Sequence, residues 1–147
     1  EVLHIFGEDR YNKNWKNFST LVNESWLWNF IEIHGFVPHS ELSHELAKRY
    51  IYINTSLSEG QCLTAYEAAL AGCFPCLQDI LAFPSVFREN ALYHRIPTEL
   101  ADNILFALHH PDIIADKIRA NQHMILEQYS AQVLKEQTKN FFLSIPT

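Results

Sequence analysis

Ser56-Leu57-Ser58-Glu59-Gly60-Gln61-Cys62-Leu63-Thr64-Ala65-Tyr66-Glu67-Ala68-Ala69-Leu70-Ala71-Gly72 decides how this chain is read. An apolar run, Tyr50-Ile51-Tyr52-Ile53, precedes it and has the aromatic and β-branched make-up of a buried strand. Residues 61 to 71 are rich in Ala and Leu and predict a helix, with Leu63, Tyr66 and Leu70 on one apolar stripe. The order is strand, short polar turn with Gly60, helix. The first amides of such a helix have no partner within it, and they face whatever sits beyond the strand's carboxyl end.

Glu59 and Glu67 bracket the helix start with seven residues between them. On a helix, eight steps separate two carboxylates by up to ~12 Å along the axis and ~80° around it. Carboxylates that cut one glycosidic bond with retention sit about 5 Å apart, so this pair is too wide for that work. It suits the two ends of one elongated ligand instead, with an anionic centre held at the helix N-terminus between them. A nucleotide sugar has that layout: ribose hydroxyls, pyrophosphate, sugar hydroxyls.

The rest of the chain alternates in kind. Val2 to Gly7 reads as a short strand, 14 to 27 as a helix, Phe30 to His34 as a strand ended by Gly35. Ser40 is placed as N-cap of a helix reaching about Arg49. Strand 50–54 and the central helix follow, then strand Phe74 to Gln78, a short turn or helix at 84–89, and strand 91–94. Pro97 opens a helix to His109 with Ile104, Leu105 and Leu108 on its buried side; Pro111 opens another to about Gln128. Ser130 caps a terminal helix to Leu143. Alternation of this kind predicts an α/β fold: a Rossmann-like parallel sheet with helices on both faces, in a single domain over 1–147.

The chain has 147 residues, 48% hydrophobic and 19% charged, with a formal net charge of −6. That is a globular composition with room for one core. No basic tract offers a nucleic-acid surface, and no apolar run has the length to span a bilayer. The chain starts at Glu1 inside an expected strand, so it reads as a domain cut from a longer protein. Three cysteines in apolar settings, Cys62, Cys73 and Cys76, fit a reducing, cytoplasmic compartment better than a disulfide framework. Cys73-Phe74-Pro75-Cys76 has CxxC spacing, but it runs into a strand rather than the helix that would activate a redox thiol. It also lacks a second ligand pair for zinc. His39 with His44, and His109-His110, do not have zinc-helix spacing, and Ser56 and Ser58 have no Ser-His-Asp context. No metal site is expected.

Several of these stretches, taken together, resemble the retaining GT-B nucleotide-sugar glycosyltransferases with an E-x7-E region. The resemblance is carried by Ser56-x-x-Glu59-Gly60, then Glu67-Ala-Ala-Leu-Ala-Gly-Cys-Phe-Pro75. Gly35-Phe36-Val37-Pro38 is similar to the family's turn near the nucleobase. Glu41-Leu42, the approach from Tyr50 to Thr55, and Tyr129-Ser130 follow in the family's order, so the match covers about 1 to 143. It implies half of a GT-B fold, the C-terminal donor-binding domain. By it, Glu59 is the catalytic carboxylate on the sugar hydroxyls and Glu67 holds the ribose. Gly60, Gln61, Cys62 and Leu63 reach the distal phosphate or the sugar, and Phe36, Val37 and Pro38 lie by the base.

The donor implied is a nucleotide diphosphate sugar, with no cofactor and no metal, and the product a glycan, polysaccharide or glycolipid. The expected partners are the N-terminal acceptor domain of the same chain and, for the full-length enzyme, a membrane surface met peripherally. The fragment alone is expected to be inactive. A non-catalytic nucleotide-sugar or glycan-assembly module of the same fold is the alternative. The chain departs from the family in three places. The Arg and Lys that neutralise the pyrophosphate would precede residue 1, Leu81-Ala82-Phe83-Pro84-Ser85 stands for Gly-Gly-x-x-Glu, and Cys62 replaces a frequent Gly. The last is expected to narrow the phosphate pocket. Phe141 and Phe142 are expected to be part-exposed where the last helix meets the partner domain.

Overall fold

The computed structural model describes residues 2–6, 13–58, 62–80 and 82–143, without the side chains of 13–15, 19, 21, 27 and 141–143. It divides into two compact units, Glu1–Leu42 and Ser43–Thr147, and each is described by itself.

In the first unit, β1 (Leu3–Phe6) and β2 (Ile31–Gly35) pair in parallel, joined through α1 (Lys13–Asn23) and a 3-10 turn at Trp26–Phe30. The helix expected to reach Leu27 stops four residues sooner. The Ser25 hydroxyl and the Ser25 amide both bond the Val22 carbonyl, at 3.2 and 3.3 Å, which tightens the chain into i→i+3 geometry. Val22 is buried, while Trp26, Trp28 and Phe30 stay exposed. Along β2, Ile31 and Ile33 are half-buried and Glu32 and His34 exposed, the alternation of a strand with one covered face.

α2 (His39–Leu46) begins one residue before the expected cap. The Pro38 carbonyl takes the first bonds, from the amides of Glu41 and Leu42, so Pro38 and not Ser40 stands at the helix start. The helix gives way after Leu46 to i→i+3 turns ending at Arg49.

The second unit holds a three-stranded parallel sheet in the order β3 (Ile51–Asn54), β4 (Phe74–Gln78), β5 (Leu92–His94). β4 is the middle strand, and its residues alternate between two cores. Leu77 joins Cys62, Ala65, Ala69, Phe83, Phe87 and Ile125; Phe74 and Cys76 join Ala107 and Ile114. Helices therefore cover both faces of this sheet: α3 (Leu63–Leu70) and the later part of α6 (Pro111–Tyr129) on one, α5 (Pro97–His109) and the start of α6 on the other. A proline in a middle strand needs an explanation. The Phe74 amide bonds back to Tyr50 on the β3 side, so position 75 faces β5, which begins only opposite Cys76. Pro75 thus costs the ladder no bond.

α3 ends as Gly72 turns to φ +98°. The Cys73 amide then reaches the Ala68 carbonyl at 2.9 Å and the Gly72 amide the Ala69 carbonyl at 3.2 Å, a Schellman closure. A Cβ at position 72 would meet only Gln122, at an ordinary 3.9 Å, so the objection to a side chain there is conformational. Gly72→Ala is expected to cost about 1–2 kcal/mol, with an unchanged urea m-value, in chemical denaturation.

α4 (Phe83–Phe87) leads through a 3-10 turn at Arg88–Asn90 into β5. The Arg88 carbonyl, at a residue with φ 48°, accepts the Tyr93 hydroxyl at 2.8 Å. Ser130 caps α7 (Ala131–Leu143) as expected, its hydroxyl accepting the Val133 amide. On α5 the buried position is Ala107; Leu105, expected inside, is exposed, and Ile104 and Leu108 are half-buried. Among the described residues no helix is long and apolar enough to cross a membrane.

Candidate functional site

β3 delivers the chain to the start of α3 through Asn54, a buried polar residue at the strand's carboxyl end. Its side-chain carbonyl accepts the Ser56 amide at 3.0 Å, turning the chain out of the sheet, and its Nδ2 lies 3.6 Å from the Cys62 sulfur. The Tyr52 hydroxyl meets the same sulfur, also at 3.6 Å. Asn54 was not singled out from the sequence, although an Asn ending an apolar run before Thr-Ser is the mark of an Asx turn.

These contacts decide what the helix start offers. Cys62 is the N-cap residue, and its thiol makes no capping bond because it is turned into the core. The expectation that the thiol narrows an anion pocket therefore does not hold: its partners are Tyr52 and Asn54. The helix begins at Leu63 rather than at 61, and no acidic side chain stands in its first turn. Cys62 gives its opening amides no side-chain cap, and amides left open at the positive end of the dipole favour a bound anion.

The buried face of α3 also differs from the expected stripe. Ala65, Ala68 and Ala69 are fully buried, while Leu63 is 65% exposed and Leu70 lies outward as well. Methyl groups let the helix lie close on the sheet, and the leucines face the other way. Tyr66 alone of the expected stripe packs inward, edge-on to Tyr129 at 5.1 Å and against Phe87 at 5.5 Å. Glu67, four residues after Leu63, shares the outward side with it. It is half-buried there.

Glu59, Gly60 and Gln61 lie outside the described residues, as do Leu81 and the side chains of Phe141 and Phe142. Phe36, Val37 and Pro38 belong to the first unit, in the turn after Gly35, whose φ is +69°. Phe36 is 70% exposed and Val37 half-buried. Cys62, Leu63 and Glu67 belong to the second unit.

The CxxC stretch is structural. Burial pushes the Cys73 thiol up to about 11 and the Cys76 thiol up to about 12. Cys73 donates to the Leu46 carbonyl at 3.2 Å, helping to close the end of α2. Such thiols carry almost no thiolate at neutral pH and are poor nucleophiles.

His94, at the end of β5, is only 3% exposed, and among the described residues neither ring nitrogen has a hydrogen-bond partner. Burial lowers its pKa below the ordinary 6.5, with Glu99 opposing. The unfolded chain then binds a proton more readily than the folded one. Stability is expected to be highest above pH 6.5 and to fall as the pH drops through the lowered value. Urea midpoints measured from neutral to acid pH check this, and His94→Leu should flatten the profile.

The sequence profile of the family described as "Glycosyl transferases group 1" matches residues 2–140. No curated protein matches the chain. Among solved structures, TarM is 23% identical with a TM-score of 0.79, over 97% of this chain and 29% of that one. A variant of S. aureus TarM in complex with fondaparinux, alpha-GlcNAc-glycerol and UDP is 22% identical, TM-score 0.81, over 97% and 29%. Sucrose-phosphate synthase from Thermosynechococcus elongatus is 17% identical, TM-score 0.84, over 95% and 37%. These likenesses bear on the fold, that of one half of a GT-B enzyme, and the chain spans only 29% to 37% of the structures' lengths. With the profile running from β1 into α7, the chain belongs to the glycosyl transferases group 1 family.

Proposed function

We propose that residues 1–147 form the donor-binding domain of a retaining glycosyltransferase. It binds a nucleotide diphosphate sugar, and its full-length parent transfers the sugar to a hydroxyl acceptor held by an N-terminal domain. The observation that carries this reading is the start of α3. An eight-residue helix opens beyond the carboxyl end of a parallel strand with no capping bond from its N-cap side chain, whose thiol is spent inward.

In this reading the opening amides, Leu63 among them with Gly60, Gln61 and Cys62, receive the diphosphate. As the bond between the sugar's anomeric carbon and the phosphate oxygen breaks, negative charge grows on the leaving diphosphate. Amides already aimed there stabilise that charge without reorganising. Glu67 takes the ribose hydroxyls and Glu59 the sugar hydroxyls, so Glu59 acts nearest the reacting centre. Phe36, Val37 and Pro38 serve the nucleobase.

The test is calorimetric titration of the chain with UDP, GDP and ADP, followed by transfer assays on the full-length protein. UDP is the first to try, because the TarM variant was crystallised with it. Saturable binding of one nucleoside diphosphate and sugar turnover support the proposal. Binding without turnover in the full-length protein moves the assignment to a non-catalytic module. No nucleoside diphosphate binding in the full-length protein removes it.

A further inference from the structure

The parallel register of β1 and β2 sets His4 beside Glu32, and Phe6 beside Gly35. Glu32 and His34, two apart on one strand, share a face. Three side chains from two strands converge there. His4 Nδ1 lies 2.9 Å from His34 Nε2 and 3.2 Å from Glu32 Oε2, and His34 Nε2 lies 3.6 Å from the same oxygen.

These three atoms crowd one another in a way that a single cation relieves. Each neutral imidazole nitrogen without a proton, and the carboxylate oxygen, presents a lone pair. A proton on His4 Nδ1 satisfies one neighbour well and leaves the remaining two lone pairs facing each other. A metal ion at the centre accepts all three. The dimensions are close: zinc bonds to nitrogen and oxygen of roughly 2.0–2.2 Å in a tetrahedron place donor atoms about 3.3–3.6 Å apart. Of the observed separations, 3.6 Å meets that span, and 2.9 and 3.2 Å fall short of it by a few tenths of an ångström at most. A point equidistant from the three atoms lies about 1.9 Å from each, and a shift of about 0.8 Å off their plane reaches bonding distance.

The surroundings hold the rings in place. Phe6 stacks on His34 with centroids 4.6 Å apart and planes 14° apart, and the two imidazoles stack at 5.2 Å. The Glu32 side chain is 57% exposed, so water can complete a fourth position. Two imidazoles and one carboxylate suit a borderline ion such as zinc, cobalt or nickel; magnesium and calcium prefer oxygen throughout.

We propose that His4, Glu32 and His34 form a three-ligand site for a divalent first-row transition ion, zinc above all, which clamps β1 to β2. The site lies wholly within the first unit and is independent of the donor-binding proposal. It replaces the expectation that the chain has no metal site. The pattern in sequence, x-His-x on one strand and Glu-x-His on the next, becomes a site only through strand register.

The chain, freed of metal by a chelator, is titrated with ZnCl2 at about pH 7.5, because zinc takes an imidazole without its proton. One equivalent should bind with a micromolar or tighter Kd, and CoCl2 should give the visible absorption of a tetrahedral ion. His4→Gln and His34→Gln should each weaken zinc at least tenfold with unchanged circular dichroism, and MgCl2 should not compete. If a variant loses its fold, the imidazole NMR signals of the unmodified chain decide: zinc should move those of His4 and His34 first. Absence of saturable zinc binding, zinc binding undiminished in the folded double variant, or first shifts at His39, His44, His109, His110 or His123 would overturn the site.

Discussion

Glu67→Ala is expected to weaken nucleoside-diphosphate binding by roughly 10- to 100-fold while leaving the fold in place. The size follows from losing hydrogen bonds to a charged group, about 1.5–3 kcal/mol in a site that water does not fully reach. Glu67 is half-buried on the outward side of α3, away from Ala65, Ala68 and Ala69, so its removal opens no hole in the core. Glu67→Gln should recover part of the loss, since the amide still accepts one hydroxyl. Calorimetry with the nucleoside diphosphate reads the affinity, and the urea midpoint serves as the control for folding. An unchanged affinity would take the proposed ribose role away from Glu67 and leave the proposal for the helix start untouched.

Phe87→Ala is the substitution expected to harm the fold most, by about 3–5 kcal/mol. Phe87 is fully buried, lies against Phe83, and carries the Tyr66 ring of α3 at 5.5 Å. Removing it leaves a cavity in the core it shares with Ala65, Ala69, Leu77 and Ile125. Because domains of this size have about 5–15 kcal/mol in all, the variant should sit near its unfolding midpoint in mild urea. Phe87→Leu should cost far less, since it keeps most of the volume. Equal costs for Ala and Leu would mean that the ring is not packed as described.

The alternation of elements was legible because strands and helices here differ sharply in pattern and are punctuated by glycine and proline. Pro97, Pro111 and Ser130 open helices where expected, and β3, β4 and β5 fall where the apolar runs stand. The inner face of α3 was not legible. A periodicity argument favours large side chains, and Leu63 and Leu70 outweighed the alanines, yet a helix lying close on β4 admits only methyl groups. Ser25 broke α1 early through a side-chain bond that competes locally with the helix. The Cys62 thiol went inward because Asn54 and Tyr52 meet it there, a contact across the strand and its loop that spacing does not reveal. His4, Glu32 and His34 stayed hidden for a related reason: the register of β1 on β2, not nearness in sequence, assembles them. The roles assigned to Glu59, Gly60 and Gln61 rest on the motif, since these residues lie outside the described ones.

The alanine seat of α3 bears on how this protein can change. A helix resting on methyl groups leaves no slack for repositioning, because any larger inward residue lifts it and any glycine loosens it. On the proposed reading, variation in ligand preference is therefore channelled to the positions on its other side, 63, 67 and 70. A library randomised at those three should yield folded proteins of altered selectivity, whereas one at 65, 68 and 69 should yield mainly insoluble chains.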